Sequence, residues 1–198
     1  MKKIGIINLS SNNINSVKGA FEKIGCDAFL VDSINELNKS DLIVLPGVGV
    51  FPDAMEHLKK KKLKNLLINS IKKGKKILGI CLGMQILASS SNEIKFTKGL
   101  NLFPGKIKKM KFLDFNIGWS KIIIKKKNIF SKFDNKNFYF NHQFKYFGPK
   151  NSISSSVKIN REEIPSIIIQ KNLIGVQFHP EKSQENGLNF LNELVTNF

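Results

Sequence analysis

The sequence predicts an α/β fold: an open, mostly parallel central sheet with helices on both faces, to which the second half adds antiparallel strands. Short apolar runs alternate with helical patterns through the first half. Strand-like segments separated by turns fill the second half, and a helical pattern closes the chain.

Residues 3–8 read as a buried strand. Ile14, Val17, Phe21 and Ile24 then recur at helical spacing, with Gly25 as the stop signal. Residues 28–31 form a second short strand, and residues 41–45 a third that ends at Pro46. The Lys-rich stretch 52–73 holds one or two helices closed by Gly74. Residues 77–80 are the fourth strand, and 82–88 begin the helix after Cys81. In the second half, segments 106–112, 121–124, 138–141, 153–158, 166–170 and 173–178 are strand-like. Leu188, Leu191, Leu194 and Val195 mark a closing helix over 186–198. No repeat, low-complexity linker or domain boundary interrupts the pattern, so residues 1–198 are expected to form one domain.

The formal charge of +17 invites a nucleic-acid reading, but Arg161 is the only arginine. Base and phosphate recognition leans on the guanidinium fork, which this chain hardly has. The clusters Lys59 to Lys62 and Lys125 to Lys127 read as solvated faces and turns. Two cysteines, Cys26 and Cys81, are too few for a disulfide framework and fit a reducing compartment. The first apolar run is too short for a signal sequence, and no later run reaches membrane-span length. The expectation is a cytoplasmic protein that binds neither nucleic acid nor membrane.

Gly79-Ile80-Cys81-Leu82-Gly83 carries the chemistry. A cysteine between two glycines at a strand-to-helix junction sits on a tight turn that holds its sulfur clear of the backbone. The start of the next helix favours thiolate over thiol. A small apolar core residue is the alternative for Cys81. A nucleophile needs a base, and the base an orienting group. Of three histidines, His57 lies in the Lys-rich helical stretch and is expected on the surface. His142 ends a strand, either as a packing residue or near the site. His179 closes the strand-like segment and is followed by Pro180 and Glu181. In extended backbone residues i and i+2 point the same way, so Glu181 can fix the tautomer of His179. The backbone N–H of Leu82 is one natural oxyanion donor, and the turn Pro46-Gly47-Val48-Gly49 the source of a second. Gln85 faces the same crevice, either to hydrogen-bond a polar substrate group or to cap the wall. Cys81, His179 and Glu181 lack the paired spacing of a metal site, and no cofactor motif is present.

Residues 79–85 together with Gln177-Phe178-His179-Pro180-Glu181-Lys182-Ser183 resemble the class I glutamine amidotransferase family, and the likeness spans essentially the whole chain. It implies that Cys81 attacks the side-chain amide of L-glutamine, that His179 is the general acid/base and that Glu181 orients it. The string from Pro46 to Met55 is similar to a subgroup, the glutaminase subunits of imidazole glycerol phosphate synthases of histidine biosynthesis. So are residues 99–105, Ile117-Gly118-Trp119 and Phe138-Tyr139-Phe140. This implies Val48 and Leu82 as oxyanion donors and Gly47, Gly49 and Gln85 as glutamine-binding residues. It also implies a (β/α)₈ cyclase subunit as partner in a heterodimer. The chain departs from the family pattern at residues 8–13, at Asn116 and Ser120, and at Asn141-His142-Gln143-Phe144. A similar subunit that feeds ammonia to amidino-sugar synthesis is the alternative, and a catalytically silent regulatory subunit is an alternative of another class.

Overall fold

The computed structural model describes residues 1–9 and 13–198. Strand β1 (Lys3–Ile7) leads to α1 (Ile14–Lys23), which Gly25 ends with φ of +80°. Strand β2 (Asp27–Val31) is followed by α2 (Ile34–Lys39), and β3 (Leu42–Leu45) by α3 (Phe51–Lys60) and α4 (Leu63–Lys72). The Lys-rich stretch therefore holds two helices, and Gly74 closes the second with φ of +87°. Strand β4 (Lys76–Ile80) runs into the short α5 (Leu82–Ile86). This helix ends two residues before its expected limit, because Ala88 already belongs to β5 (Ala88–Ser91).

The remaining strands are β6 (Thr97–Lys98), β7 (Phe103–Lys109), β8 (Asn116–Lys121), β9 (Ile123–Ile124), β10 (Asn137–His142) and β11 (Phe144–Phe147). Then come β12 (Ile153–Ile159), β13 (Glu162–Gln170), β14 (Leu173–Val176) and α6 (Gln184–Asn197). Helix α2 escaped the sequence reading although Ser33 and Glu36 form a reciprocal capping box at its start. Strand β8 has no counterpart in the sequence reading; its alternation is inverted, with Ile117 and Trp119 exposed and Asn116 buried. No helix among the described residues is long and apolar enough to cross a membrane.

The central sheet has the order β2-β1-β3-β4-β14-β13-β12-β9. Strands β2, β1, β3, β4 and β14 are mutually parallel, and β13, β12 and β9 extend them antiparallel, as the sequence predicts. Alternate residues of the parallel strands feed two cores. Ile4, Ile6, Val44, Leu78 and Ile80 pack with α1 and α6 on one face. Ile43, Leu45 and Ile77 pack with α3 and α4 on the other. Phenylalanines fasten α6 to the second half: Phe130 stacks on Phe190 at 4.2 Å between ring centres, and Phe138 lies 4.2 Å from Phe178.

Strands β8 and β10 pair as a separate antiparallel ribbon, and β11-β7-β5-β6 form a third sheet. His142, at the end of β10, is buried between them. Its Nδ1–H donates to the Phe144 carbonyl at 2.9 Å, so Nε2 accepts from Asn116 Nδ2 at 3.1 Å. Burial first, and then the neighbouring His179 charge, hold His142 down at about 4, against the Phe144 carbonyl that favours its protonation.

A neutral buried imidazole has a consequence for stability. Between pH 6.5 and about 4 the unfolded chain takes up this proton and the folded chain does not. Stability therefore falls as the pH drops through that window, by about 3 kcal/mol in all. His142→Gln keeps one donor and one acceptor without titrating. Urea unfolding at pH 7.0 and 4.5 should show a smaller acid loss for this variant than for the wild-type chain. Equal losses would contradict the assignment.

Candidate active site

Two strand ends meet at the site. Val176 pairs with Ile80 in the β14–β4 register, and Cys81 N–H donates to the Val176 carbonyl at 2.7 Å. Cys81 thus stands one residue past β4, beside the residues that leave β14. Ligands of open α/β sheets bind at such carboxyl ends.

The turn at Cys81 is strained, with φ of +51° and ψ of −108° in a residue that carries a Cβ. Close packing holds it there. An added Cβ on Gly79 would lie 2.7 Å from the Gly83 carbonyl oxygen and from the Met84 backbone, and one on Gly83 would overlap the Leu45 carbonyl. The two glycines that flank the thiol let α5 sit directly on the ends of β3 and β4. Helix α5 has only five residues, so its dipole is small.

His179, the titratable neighbour of the sulfur, is fully buried. Strand β14 ends at Val176, three residues before His179, and Pro180–Lys182 form a 3₁₀ turn. The expected i, i+2 alternation of extended backbone is therefore not what pairs His179 with Glu181. The turn does so, started by the fixed φ of Pro180. His179 Nδ1–H donates to Glu181 Oε1 at 2.7 Å, and that oxygen also accepts from Asn13 Nδ2 at 2.5 Å. The imidazole N–H tautomer is thereby set, and Nε2 is left buried with no hydrogen-bond partner among the described residues. Burial alone would lower the pKa of His179. The Cys81 sulfur and then the Glu181 carboxylate outweigh it and raise the imidazole to about 10.

The Cys81 sulfur has two further polar neighbours. It lies 3.7 Å from the Asn141 carbonyl and accepts from Gln177 Nε2 at 3.6 Å. Gln177 Oε1 in turn accepts from Gln85 Nε2 at 3.2 Å, and Gln85 Nε2 also donates to the Phe144 carbonyl at 2.9 Å. Both amide hydrogens of Gln85 are used, so its Oε1 remains to accept.

A crevice of about 280 Å³ opens over the thiol, lined by Val48, Gly49, Cys81, Leu82, Gln85 and Glu93 among others. A larger depression of about 480 Å³ lies elsewhere, among Lys125, Lys126 and Lys150, and contains no residue of this constellation. Of the residues implied by the family likeness, Val48, Gly49, Leu82 and Gln85 line the crevice. Gly47 does not: it is buried behind the turn, where an added Cβ would lie 2.7 Å from Leu82 Cβ and 2.9 Å from Gly83 N. Gly49 takes φ of +122°. His142 lines the crevice as well as packing, whereas His57 is half-buried on α3 and outside it. Ser10, Ser11 and Asn12, within the atypical segment 8–13, lie outside the described residues.

Sequence reasoning assigned no role to Glu93, Asn13 or Gln177. Glu93 is the only acidic side chain among the described residues lining the crevice, and its Oε2 accepts from Phe51 N–H at 2.9 Å at the start of α3. Burial pushes its carboxyl above the usual range and the nearby Asp53 charge adds to this, while the Phe51 N–H opposes them. It follows Ser91 and Asn92 in an irregular stretch with no pattern to mark it. Asn13 sits just before α1 and meets Glu181 only through the fold.

Comparison with known proteins identifies the family. Residues 6–197 match the glutamine amidotransferase class-I family. The chain is 39% identical over 194 residues to imidazole glycerol phosphate synthase subunit HisH 2 of Vibrio vulnificus (strain YJ016), covering 94% of this chain and 90% of that protein. It is 37% identical over 195 residues to the HisH subunit of Methanothermobacter thermautotrophicus, covering 97% of both. Among solved structures, PurLQS from Thermotoga maritima superposes with a TM-score of 0.77 at 19% identity, covering 98% of each chain. A glutamine amidotransferase from the same organism superposes at 0.66 with 18% identity, covering 98% of this chain and 81% of that one. These two likenesses concern the fold. The chain belongs to the class I glutamine amidotransferase family and, within it, to the HisH group.

Proposed function

We propose that this chain is the glutaminase subunit of imidazole glycerol phosphate synthase, hydrolysing L-glutamine to glutamate and ammonia and passing the ammonia to a cyclase subunit in histidine biosynthesis. The observation that carries the reading is a strained cysteine on the crevice wall whose sulfur interacts with a buried imidazole held against a carboxylate. The names of the HisH relatives support the pathway.

In this reading the Cys81 thiolate attacks the side-chain amide carbon of glutamine. His179, already carrying the proton, protonates the departing nitrogen, and ammonia leaves a γ-glutamyl thioester on Cys81. Neutral His179 then takes a proton from water, whose oxygen attacks the thioester carbonyl. Glutamate departs as the thiolate and imidazolium are restored. Glu181 and Asn13 hold the ring throughout. The N–H groups of Leu82 and Val48 receive the oxyanion of both tetrahedral intermediates. Leu82 suits the role because the first amides of a helix have no intrahelical acceptor. Gly49 and the free Oε1 of Gln85 hold the substrate, and Glu93 faces its ammonium group. Gly47 serves by letting the turn close on α5.

An open crevice would let ammonia be protonated and lost, so a partner must cover it. The surface beside the crevice fits that need. Phe115 lines the crevice and is more than half exposed, and Ile117 and Trp119 project from β8 at 62% and 47% exposure. Exposed apolar side chains of this kind, Phe112 included, suit docking of a (β/α)₈ cyclase subunit in a heterodimer. The chain acts as one glutamine amidotransferase unit over residues 1–198, in the cytoplasm, where its two free buried cysteines stay reduced.

Cys81→Ala should lower glutamine hydrolysis by more than about 10³-fold while leaving partner binding intact. Retained turnover would remove the nucleophile. Adding the cyclase subunit from the same organism should raise glutaminase turnover of the wild-type chain. Full activity alone, unchanged by that subunit, would contradict delivery to a partner.

A further inference from the structure

The side-chain amide of Gln177 is fully buried and makes two contacts, one of them to the reacting sulfur. We propose that Gln177 is a further catalytic group, an N–H donor to the Cys81 thiolate whose orientation is dictated by the backbone carbonyl of Phe144 through Gln85. The inference rests on Cys81 being the nucleophile.

Which end of each amide faces which neighbour follows from elementary bookkeeping of donors and acceptors. A backbone carbonyl can only accept. The Gln85 atom 2.9 Å from the Phe144 oxygen must therefore be Nε2. The second hydrogen on that nitrogen points at Gln177, 3.2 Å away, and requires an acceptor there. Gln177 must present Oε1 to Gln85, and so its Nε2 turns to the Cys81 sulfur at 3.6 Å. The Phe144 oxygen also accepts from His142 Nδ1 at 2.9 Å, which uses both of its lone pairs and fixes its place. The Gln177 backbone is pinned too, its N–H donating to the Ser166 carbonyl at 3.0 Å.

The reason for such a donor lies on the other side of the sulfur. The Asn141 carbonyl stands 3.7 Å away and can accept the thiol proton. Once that proton has passed to His179, the same carbonyl presents a lone pair to an anion and disfavours it. An N–H aimed at the sulfur is attractive in both states and stronger when the sulfur is charged. Gln177 offsets Asn141 in the state that performs the attack.

Gln177→Glu keeps the shape and the acceptor for Gln85 but faces the sulfur with an oxygen. Gln177→Met removes both polar atoms at similar volume. The measurement is the rate of Cys81 carbamidomethylation by iodoacetamide from pH 5 to 10, read on the Cys81 peptide by mass spectrometry so that Cys26 does not interfere. It is paired with kcat and KM for glutamine in the complex with the cyclase subunit. In both variants the alkylation midpoint should move up by about one pH unit. The kcat should fall roughly tenfold to a hundredfold, with KM changed by no more than about threefold. Gln85→Leu, which frees the Gln177 amide to turn over, should move the alkylation midpoint the same way by less. If Gln177→Glu does not fold, Gln177→Met reads the same quantities. A Gln177→Met protein with a wild-type alkylation profile and wild-type kcat would overturn the proposal. Alkylation reports on the thiol whatever its substrate, so that outcome leaves the nucleophile reading standing. Only hydrolysis surviving Cys81→Ala removes the nucleophile.

Discussion

The backbone of Cys81 is bent into a conformation that a residue with a Cβ adopts only under constraint, φ +51° with ψ −108°. Such a bend costs on the order of 1–3 kcal/mol and survives only where its surroundings over-determine it. Here β4 delivers the residue from one side and α5 takes it away on the other. Gly79 and Gly83 allow the helix to press directly against the ends of β3 and β4. The sulfur is lifted out of the sheet as a result, toward whatever the neighbouring strand brings. The fold then needs only one more long-range decision, the placement of β14 beside β4.

That placement is where core and chemistry join. The β14–β4 register sets Cys81 against the Val176 carbonyl, and the residues after β14 follow in order: Gln177 beneath the sulfur and His179 beside it. The 3₁₀ turn at Pro180 folds Glu181 back onto His179, and Ser183 ties the turn down, its hydroxyl donating to the His179 carbonyl at 2.6 Å. The phenylalanine cluster around Phe178 and Phe190 anchors the same segment from below. The imidazole of His179 is thereby held, away from solvent, between the Cys81 sulfur and the Glu181 carboxyl. Both neighbours raise its pKa against the effect of burial.

Much of this was legible in the residues. Glycines on either side of a cysteine at a strand end announce a tight turn, and only beside that motif does His179-Pro180-Glu181 suggest a base with its orienter. The parallel sheet followed from the alternation of apolar runs, and Gly25 and Gly74 marked the helix ends they do mark. Other features were out of reach. Asn13 acts on Glu181 and Glu93 on the crevice only because distant segments converge, and no local periodicity records a convergence. The pairing of His179 with Glu181 was foreseen for the wrong reason, since a 3₁₀ turn and not extended backbone brings them together. Gly47, a glutamine-binding residue by the family likeness, shows something the sequence does not: close packing against Leu82 that leaves no room for a Cβ. Gln177 was in plain view within the motif, but an amide reveals its role only when both of its partners are known. Helix α2 is different, because Ser33 and Glu36 advertised it.

The strain at Cys81 is open to direct measurement, apart from any activity. Glycine tolerates this bend and alanine does not, so Cys81→Gly and Cys81→Ala remove the same sulfur and differ in what the turn costs. Equilibrium urea unfolding of the two variants compares them under identical conditions. The strain of about 1–3 kcal/mol exceeds the roughly 0.5–1 kcal/mol that glycine loses in chain entropy, so the glycine variant should be the more stable by about 1 kcal/mol. An alanine variant as stable as the glycine variant, or more so, would mean that the turn is relaxed and that packing does not hold the nucleophile in place.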